Sequence, residues 1–148
     1  MIAVLQRVSK ASVTVNEKVV GAIEGGFLVL LGVAQEDSQK DLDYIVKKVS
    51  NMRVFEDDNE KMNLNLSQVN GKLLLVSQFT LLACTKKGNR PSFNVAAEPK
   101  MANEYYEKAI TAFEAQGLEV QTGQFGAKMQ ISLINEGPVT IILDSKKV

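Results

Sequence analysis

Histidine is absent from this 148-residue sequence. Its absence removes Ser-His-Asp triads, Cys-His dyads, HExxH zinc sites and imidazole general bases in one step. Any catalysis has to use hydroxyls, amides, carboxylates, lysines, backbone groups or the substrate itself. Cysteine occurs once, at Cys84, which excludes an internal disulfide and fits a reducing compartment. With so few soft ligands, neither a structural zinc site nor another metal centre is expected, and no cofactor is called for. Net charge is missing too: 17 basic residues balance 17 acidic ones, which argues against a broad nucleic-acid-coating surface but permits a local basic patch. No apolar run reaches the roughly 18 residues of a membrane span. The opening residues 1–7 lack the charged start and cleavage site of a signal peptide, so a soluble, cytoplasmic protein with no membrane contact is expected.

What is present suffices for one core. With 45% hydrophobic residues over 148 positions, the chain predicts one domain spanning 1–148. Residues 2–33 read as a meander of antiparallel strands, with breaks at Asn16-Glu17-Lys18 and Gly25-Gly26. Ser38 then caps a helix, with Asp41 three residues on and Leu42, Ile45, Val46, Val49 and Met52 at helical spacing. Residues 53–56 suit a short strand, and the acidic stretch from Asp57 to Glu60 suits a solvated turn, since it lacks the later glycine and glutamate of a calcium loop. Asn70-Gly71 signals a hairpin that launches a strand over residues 72–82. Pro99 opens a second helix that Gly117 stops. Strands follow at 118–121, 129–134 and 139–143, the last two separated by a tight turn at Asn135-Glu136-Gly137-Pro138. Many strands and two separated helices predict an α+β fold with an antiparallel, barrel-like sheet.

Two segments carry chemical content. The strand over 73–82 is apolar in its first half, then holds Ser77, Gln78 and Thr80 around Phe79. An unpaired polar group inside a buried strand costs about 1–3 kcal/mol, so these residues either bond within the fold or face a pocket. Strand alternation puts Ser77 and Phe79 on one face and Gln78 and Thr80 on the other. A bulge or strand end there would free backbone N–H groups of the kind that form an oxyanion hole. A hydroxyl nucleophile needs a base, and none stands nearby in sequence. At Gly137-Pro138 the plain assignment is a turn, although glycine also lets a backbone approach a ligand closely and proline stiffens that presentation. Lys86-Lys87-Gly88-Asn89-Arg90 is the best basic patch, and charge runs this short are more often solvated loops.

Taken together, Val76-Ser77-Gln78-Phe79-Thr80-Leu81, Gly88-Asn89-Arg90-Pro91-Ser92-Phe93 and Asn135-Glu136-Gly137-Pro138-Val139-Thr140 closely resemble the D-aminoacyl-tRNA deacylases, also called D-tyrosyl-tRNA deacylases. The similarity runs from Gln6-Arg7-Val8 through Lys61-Met62-Asn63-Leu64-Asn65 to Gln121-Thr122-Gly123 and beyond. The resemblance implies a homodimeric hydrolase, free of cofactor, that cleaves the ester between a D-amino acid, or a mischarged glycine, and the terminal ribose of tRNA. It further implies that Gly137 and a cis Pro138 of one subunit enter the active site of the other and exclude L-amino acids, with Arg7 orienting that loop. Ser77, Gln78, Phe79 and Thr80 then line the ester, the N–H of Phe79 serving as oxyanion donor. Phe125 is expected to hold the terminal adenosine; Lys86, Lys87 and Arg90 are the candidate tRNA contacts, although the Lys86-Lys87 pair departs from many relatives. In such a family the adenosine's neighbouring hydroxyl assists attack by water, which accounts for a site without histidine. Glu136 departs from the aspartate common at that position. The rival readings are a non-catalytic tRNA-binding module using Lys86, Lys87 and Arg90, and a small-molecule esterase with Thr80 as nucleophile.

Overall fold

The computed structural model describes residues 1–147. In chain order the elements are β1 (Ile2–Val15), β2 (Lys18–Ile23), β3 (Gly26–Gly32), α1 (Gln39–Asn51), β4 (Phe55–Glu56), β5 (Met62–Leu64), β6 (Lys72–Ser77), a 3-10 turn (Phe79–Leu82), α2 (Pro99–Ala115), β7 (Val120–Thr122) and β8 (Gln130–Asp144). The long, β-branched β1 organises the sheet. Its first half pairs antiparallel with β3, its second half with β2, and β8 pairs antiparallel with it along nearly its whole length. The β1–β2 turn falls at Asn16 and Glu17, whose φ of 48° and 65° are the left-handed values that a tight hairpin requires.

Beyond β3 the sheet continues through β6 to β7, and both of these pairings are parallel. The strand β7 returns against β2, so closely that a Cβ at Gly21 would overlap the carbonyl oxygen of Thr122. The result is the α+β, barrel-like sheet with two main helices that the pattern predicts, but with mixed rather than wholly antiparallel pairing. Parallel neighbours bury both faces of a strand, which is why β6 reads as an unbroken apolar run. Leu73 and Leu75 join the core under the helices, while Leu74 and Val76 fill the barrel interior with Val8, Val13 and Leu28.

Both helices lie over one face of the sheet. Helix α1 begins at Ser38 with a capping box completed by Asp41, and buries Leu42, Ile45, Val46 and Val49. Helix α2 has Pro99 in its first turn, and Gly117 follows its end at φ +80°. The carboxylates ahead of and within α1 also gather the chain's ends. The Met1 ammonium donates to Asp37 at 2.5 Å and to Ser145 at 2.8 Å, while Ser145 donates to Asp41 at 2.7 Å and Lys146 pairs with it at 2.9 Å.

Three further expectations change. Asn70 (φ 51°) and Gly71 do form a turn, but β6 pairs with β3 and β7 while β5 pairs with β4, so no hairpin joins β5 to β6. The strand expected to run to residue 82 ends at Ser77, where its partner β3 also runs out, and the chain turns into the 3-10 segment. Residues 135–138 do not reverse the chain: β8 is one strand, and the extra residues bulge from it.

Candidate active site

The end of β6 is where the polar break acquires a shape. Gln78 N–H makes the last bond to β3, donating to Leu31 O at 2.8 Å, and Leu81 N–H closes the turn back onto Gln78 O at 3.2 Å. Between them, the N–H groups of Phe79 and Thr80 donate to no acceptor among the described residues. This follows from helical geometry, which leaves the first N–H groups of any turn without an internal partner. Two adjacent, fixed donors are thus presented at a strand end. The amide of Gln78 donates to the Thr80 hydroxyl at 2.5 Å, which fixes both side chains.

These donors adjoin a cavity of about 600 Å³. Ser77, Gln78 and Phe79 form one wall; Phe93, Ala96, Ala97, Pro99 and Ala102 form a second, where α2 begins; Phe125, Gly126, Ala127, Met129 and Ile131 form the third. The small alanines create the volume and the aromatic rings bound it. Behind Phe125 stands Tyr106, with ring centroids 5.9 Å apart and its hydroxyl donating to Leu75 O at 2.8 Å. Burial pushes the Tyr106 phenol up to about 12, so it remains a hydrogen-bond donor at neutral pH. Gly123 N–H bonds the same carbonyl at 3.1 Å, fastening the loop that carries Phe125 to the end of β6.

Arg7, Gly137 and Pro138 form a second cluster. Gln6 faces Thr140 and Val8 faces Asn135, so two steps along β1 correspond to five along β8, and the surplus residues stand out as a bulge. Gly137 has φ +124° and the Gly137-Pro138 peptide bond is cis. Arg7, only 5% exposed, holds this bulge from behind. Its Nε donates to Glu136 O at 3.0 Å, its Nη1 to Val54 O at 2.6 Å, and its Nη2 lies 3.6 Å from Glu56 Oε1.

The fold therefore brings Ser77, Gln78, Phe79 and Phe125 together around one cavity, with Thr80 just outside its wall. Arg7, Gly137 and Pro138 do not line it within this chain. Lys86, Lys87 and Arg90 sit on an exposed loop whose ends, Cys84 and Ser92, bond each other at 2.7 and 3.0 Å. Sequence reasoning named neither Phe93 nor Met129 as wall residues. Phe93 ends the motif Gly88-Asn89-Arg90-Pro91-Ser92-Phe93, whereas an isolated methionine carries no signal at all. Among the described residues no three His, Cys, Asp or Glu side chains are placed to hold a metal ion. No helix among them is long and apolar enough to cross a membrane.

A mixed barrel-like sheet, two helices on one face and an apolar cavity with free backbone donors define the class. The family model of D-Tyr-tRNA(Tyr) deacylase matches residues 4–144, and the chain belongs to that family. A D-aminoacyl-tRNA deacylase of Thermosipho africanus (strain TCF52B) is 53% identical over 148 residues, covering 100% of this chain and 99% of that protein. One of Koribacter versatilis (strain Ellin345) is 53% identical over 147 residues, covering 99% of each. The solved structure of a c-Myc DNA unwinding element binding protein matches with a TM-score of 0.91 at 42% identity, over 97% of this chain and 98% of that one. A structure of a probable eukaryotic D-amino acid tRNA deacylase shares the fold at a TM-score of 0.82 and 17% identity, over 96% and 97% of the two chains.

Proposed function

We propose that the protein hydrolyses the ester of D-aminoacyl-tRNA in the cytoplasm, releasing the D-amino acid and free tRNA. Mischarged glycyl-tRNA, which has no side chain to exclude, is a second substrate. The observation that carries this reading is the pair of free N–H groups at Phe79 and Thr80 beside an apolar cavity, in a chain without histidine. The terminal adenosine enters against Phe125 and Met129, and the ester carbonyl points at the Phe79 N–H. As water adds to the carbonyl, negative charge grows on its oxygen, and donors already in position stabilise that charge without rearranging. The adenosine's neighbouring hydroxyl assists the water, supplying from the substrate what the missing histidine would otherwise provide. Ser77 and Gln78 border the ester. Thr80, held by Gln78 and bonded to no base, orients rather than attacks.

Chirality is read by the Gly137-Pro138 bulge of a second copy. The sheet face opposite the helices supports this arrangement. Val4 faces Leu30 on one side and Ile142 on the other, and Ile142 is 70% exposed. Ile2, Val4, Leu81 and Ile142 line a groove that Tyr44 of α1 and Leu143 also border. The 3-10 turn lies beside the Ile2 end of this strip, since a Cβ on Gly32, the partner of Ile2, would meet Leu82 and Gln78. The bulge lies at the Arg7 end, five residues or about 17 Å away along the strand. A two-fold axis near Val4 exchanges those ends, bringing each copy's bulge to the other's turn. Backbone groups there meet the substrate's amino group and leave no room for an L-side chain. Lys86, Lys87 and Arg90 contact the tRNA backbone.

The test is release of tyrosine from D-tyrosyl-tRNA by the purified protein, with mass spectrometry of the protein during turnover. Thr80→Ala is expected to slow release by about a hundredfold at most, as displacement of a positioning group does. Wild-type protein should carry no acyl adduct. An adduct on Thr80 would replace this mechanism with a covalent one, and no release at all would sink the reading.

A further inference from the structure

Phe79 and Phe93 meet edge to face, with centroids 5.1 Å apart and planes at 70°. That contact occupies one face of one ring. Both side chains line the cavity; Phe93 is half-buried, and Phe79 is 53% exposed within one chain, on the turn that the second copy's bulge is proposed to approach. Large rings are usually covered, so an exposed ring packed on a half-buried one in the wall of a site points to a flat, apolar ligand surface. Phe93 follows directly on the loop closed by Cys84 and Ser92. That loop carries Lys86, Lys87 and Arg90, and residues 84–93 contain no carboxylate. None of the three cations is ion-paired among the described residues.

An exposed ring packed on a half-buried one, with unpaired cations on the adjoining loop, is a combination that suits single-stranded nucleic acid, rings taking bases and cations taking phosphates. We propose that Phe79 and Phe93 form a stacking platform for the base of the nucleotide preceding the terminal adenosine. This rests on the assignment of the cavity to that adenosine. A strand leaving the cavity along these two rings reaches the cationic loop that ends just before Phe93. Phenylalanine offers a π face but no hydrogen-bonding group, so the platform holds the strand without reading base identity. It makes the enzyme favour a polynucleotide end over an isolated nucleoside ester.

The experiment compares kcat/KM on D-tyrosyl-tRNA with kcat/KM on D-tyrosyl-adenosine for wild type, Phe93→Leu and Phe93→Tyr. Leucine keeps apolar volume and loses the π face; tyrosine keeps both. Phe93→Leu should lower the ratio of tRNA ester to nucleoside ester by about tenfold, chiefly through KM on the tRNA ester, and Phe93→Tyr should retain the wild-type ratio. An unchanged ratio in Phe93→Leu would overturn the platform while leaving the hydrolase reading intact. So would an equal loss on both esters together with dissociation of the dimer in sedimentation, which would make the pair a subunit contact. Wild-type protein inert toward both esters would remove the adenosine assignment and the platform with it.

Discussion

Arg7 is a buried cation with little carboxylate around it: its close partners are two carbonyl oxygens, and Glu56 lies farther off at 3.6 Å. A guanidinium can serve several acceptors in fixed directions, whereas a lysine ammonium at the end of a flexible stem cannot match that geometry. Arg7→Lys is therefore expected to cost about 1–3 kcal/mol, because at least one buried carbonyl is left unpaired. Urea unfolding measures that loss. Since the same side chain backs the Gly137-Pro138 bulge, the variant should also hydrolyse L-tyrosyl-tRNA faster relative to D-tyrosyl-tRNA than wild type does. Unaltered stability and unaltered discrimination would show that the bulge holds its shape without Arg7.

At the scale of elements, α1 owes its start to Asp41, whose carboxylate accepts from Ser38 N–H at 2.8 Å and from Ser38 Oγ at 2.9 Å. Burial raises the pKa of this group, but the bonds from Ser145, Lys146 and Ser38 outweigh it and hold the carboxyl well below the usual range. The folded state thus prefers the ionised form. Its contribution is present above about pH 4, the ordinary carboxylate value, and is lost as pH falls from there toward the depressed folded value. Asp41→Asn should lower stability at pH 7 by about 1 kcal/mol and flatten the fall in stability below about pH 4. Unfolding curves at several pH values check both, and a variant that tracks wild type through the acid range would contradict the assignment.

Both helices were legible in sequence because caps and stripes are local signals. The Asn16-Glu17 hairpin was legible for the same reason. What the sequence concealed was pairing. Asn70-Gly71 turns the chain but does not say which strand comes next to β6, and the apolar run that follows is drawn to the buried position between β3 and β7. Gly137-Pro138 looks like a reversal because the same residue types serve turns and bulges alike. The polar break at Ser77 left internal bonding and a pocket both open, and both occur: Ser77, Gln78 and Phe79 line the cavity, while Gln78 also bonds Thr80 outside it. The wall's other members, from the start of α2 and the loop after β7, are brought there by the tertiary fold alone.

At the scale of the whole molecule, the two clusters lie apart within one chain, and under the proposed function a second copy joins them. The exposed Ile142 is the place to test this, since a surface substitution there should leave the fold intact. Ile142→Arg should yield a folded monomer in sedimentation that has lost most of its turnover. A fully active monomer would show that each chain holds a complete site. The central claim, that a backbone bulge and free backbone donors together make a chirality-selecting ester hydrolase, is tested most directly by single-turnover hydrolysis of D- and L-tyrosyl-tRNA with the same wild-type preparation. The D-ester should be consumed at least about a hundredfold faster than the L-ester. Equal rates, or inertness toward both in folded dimeric protein, would contradict it.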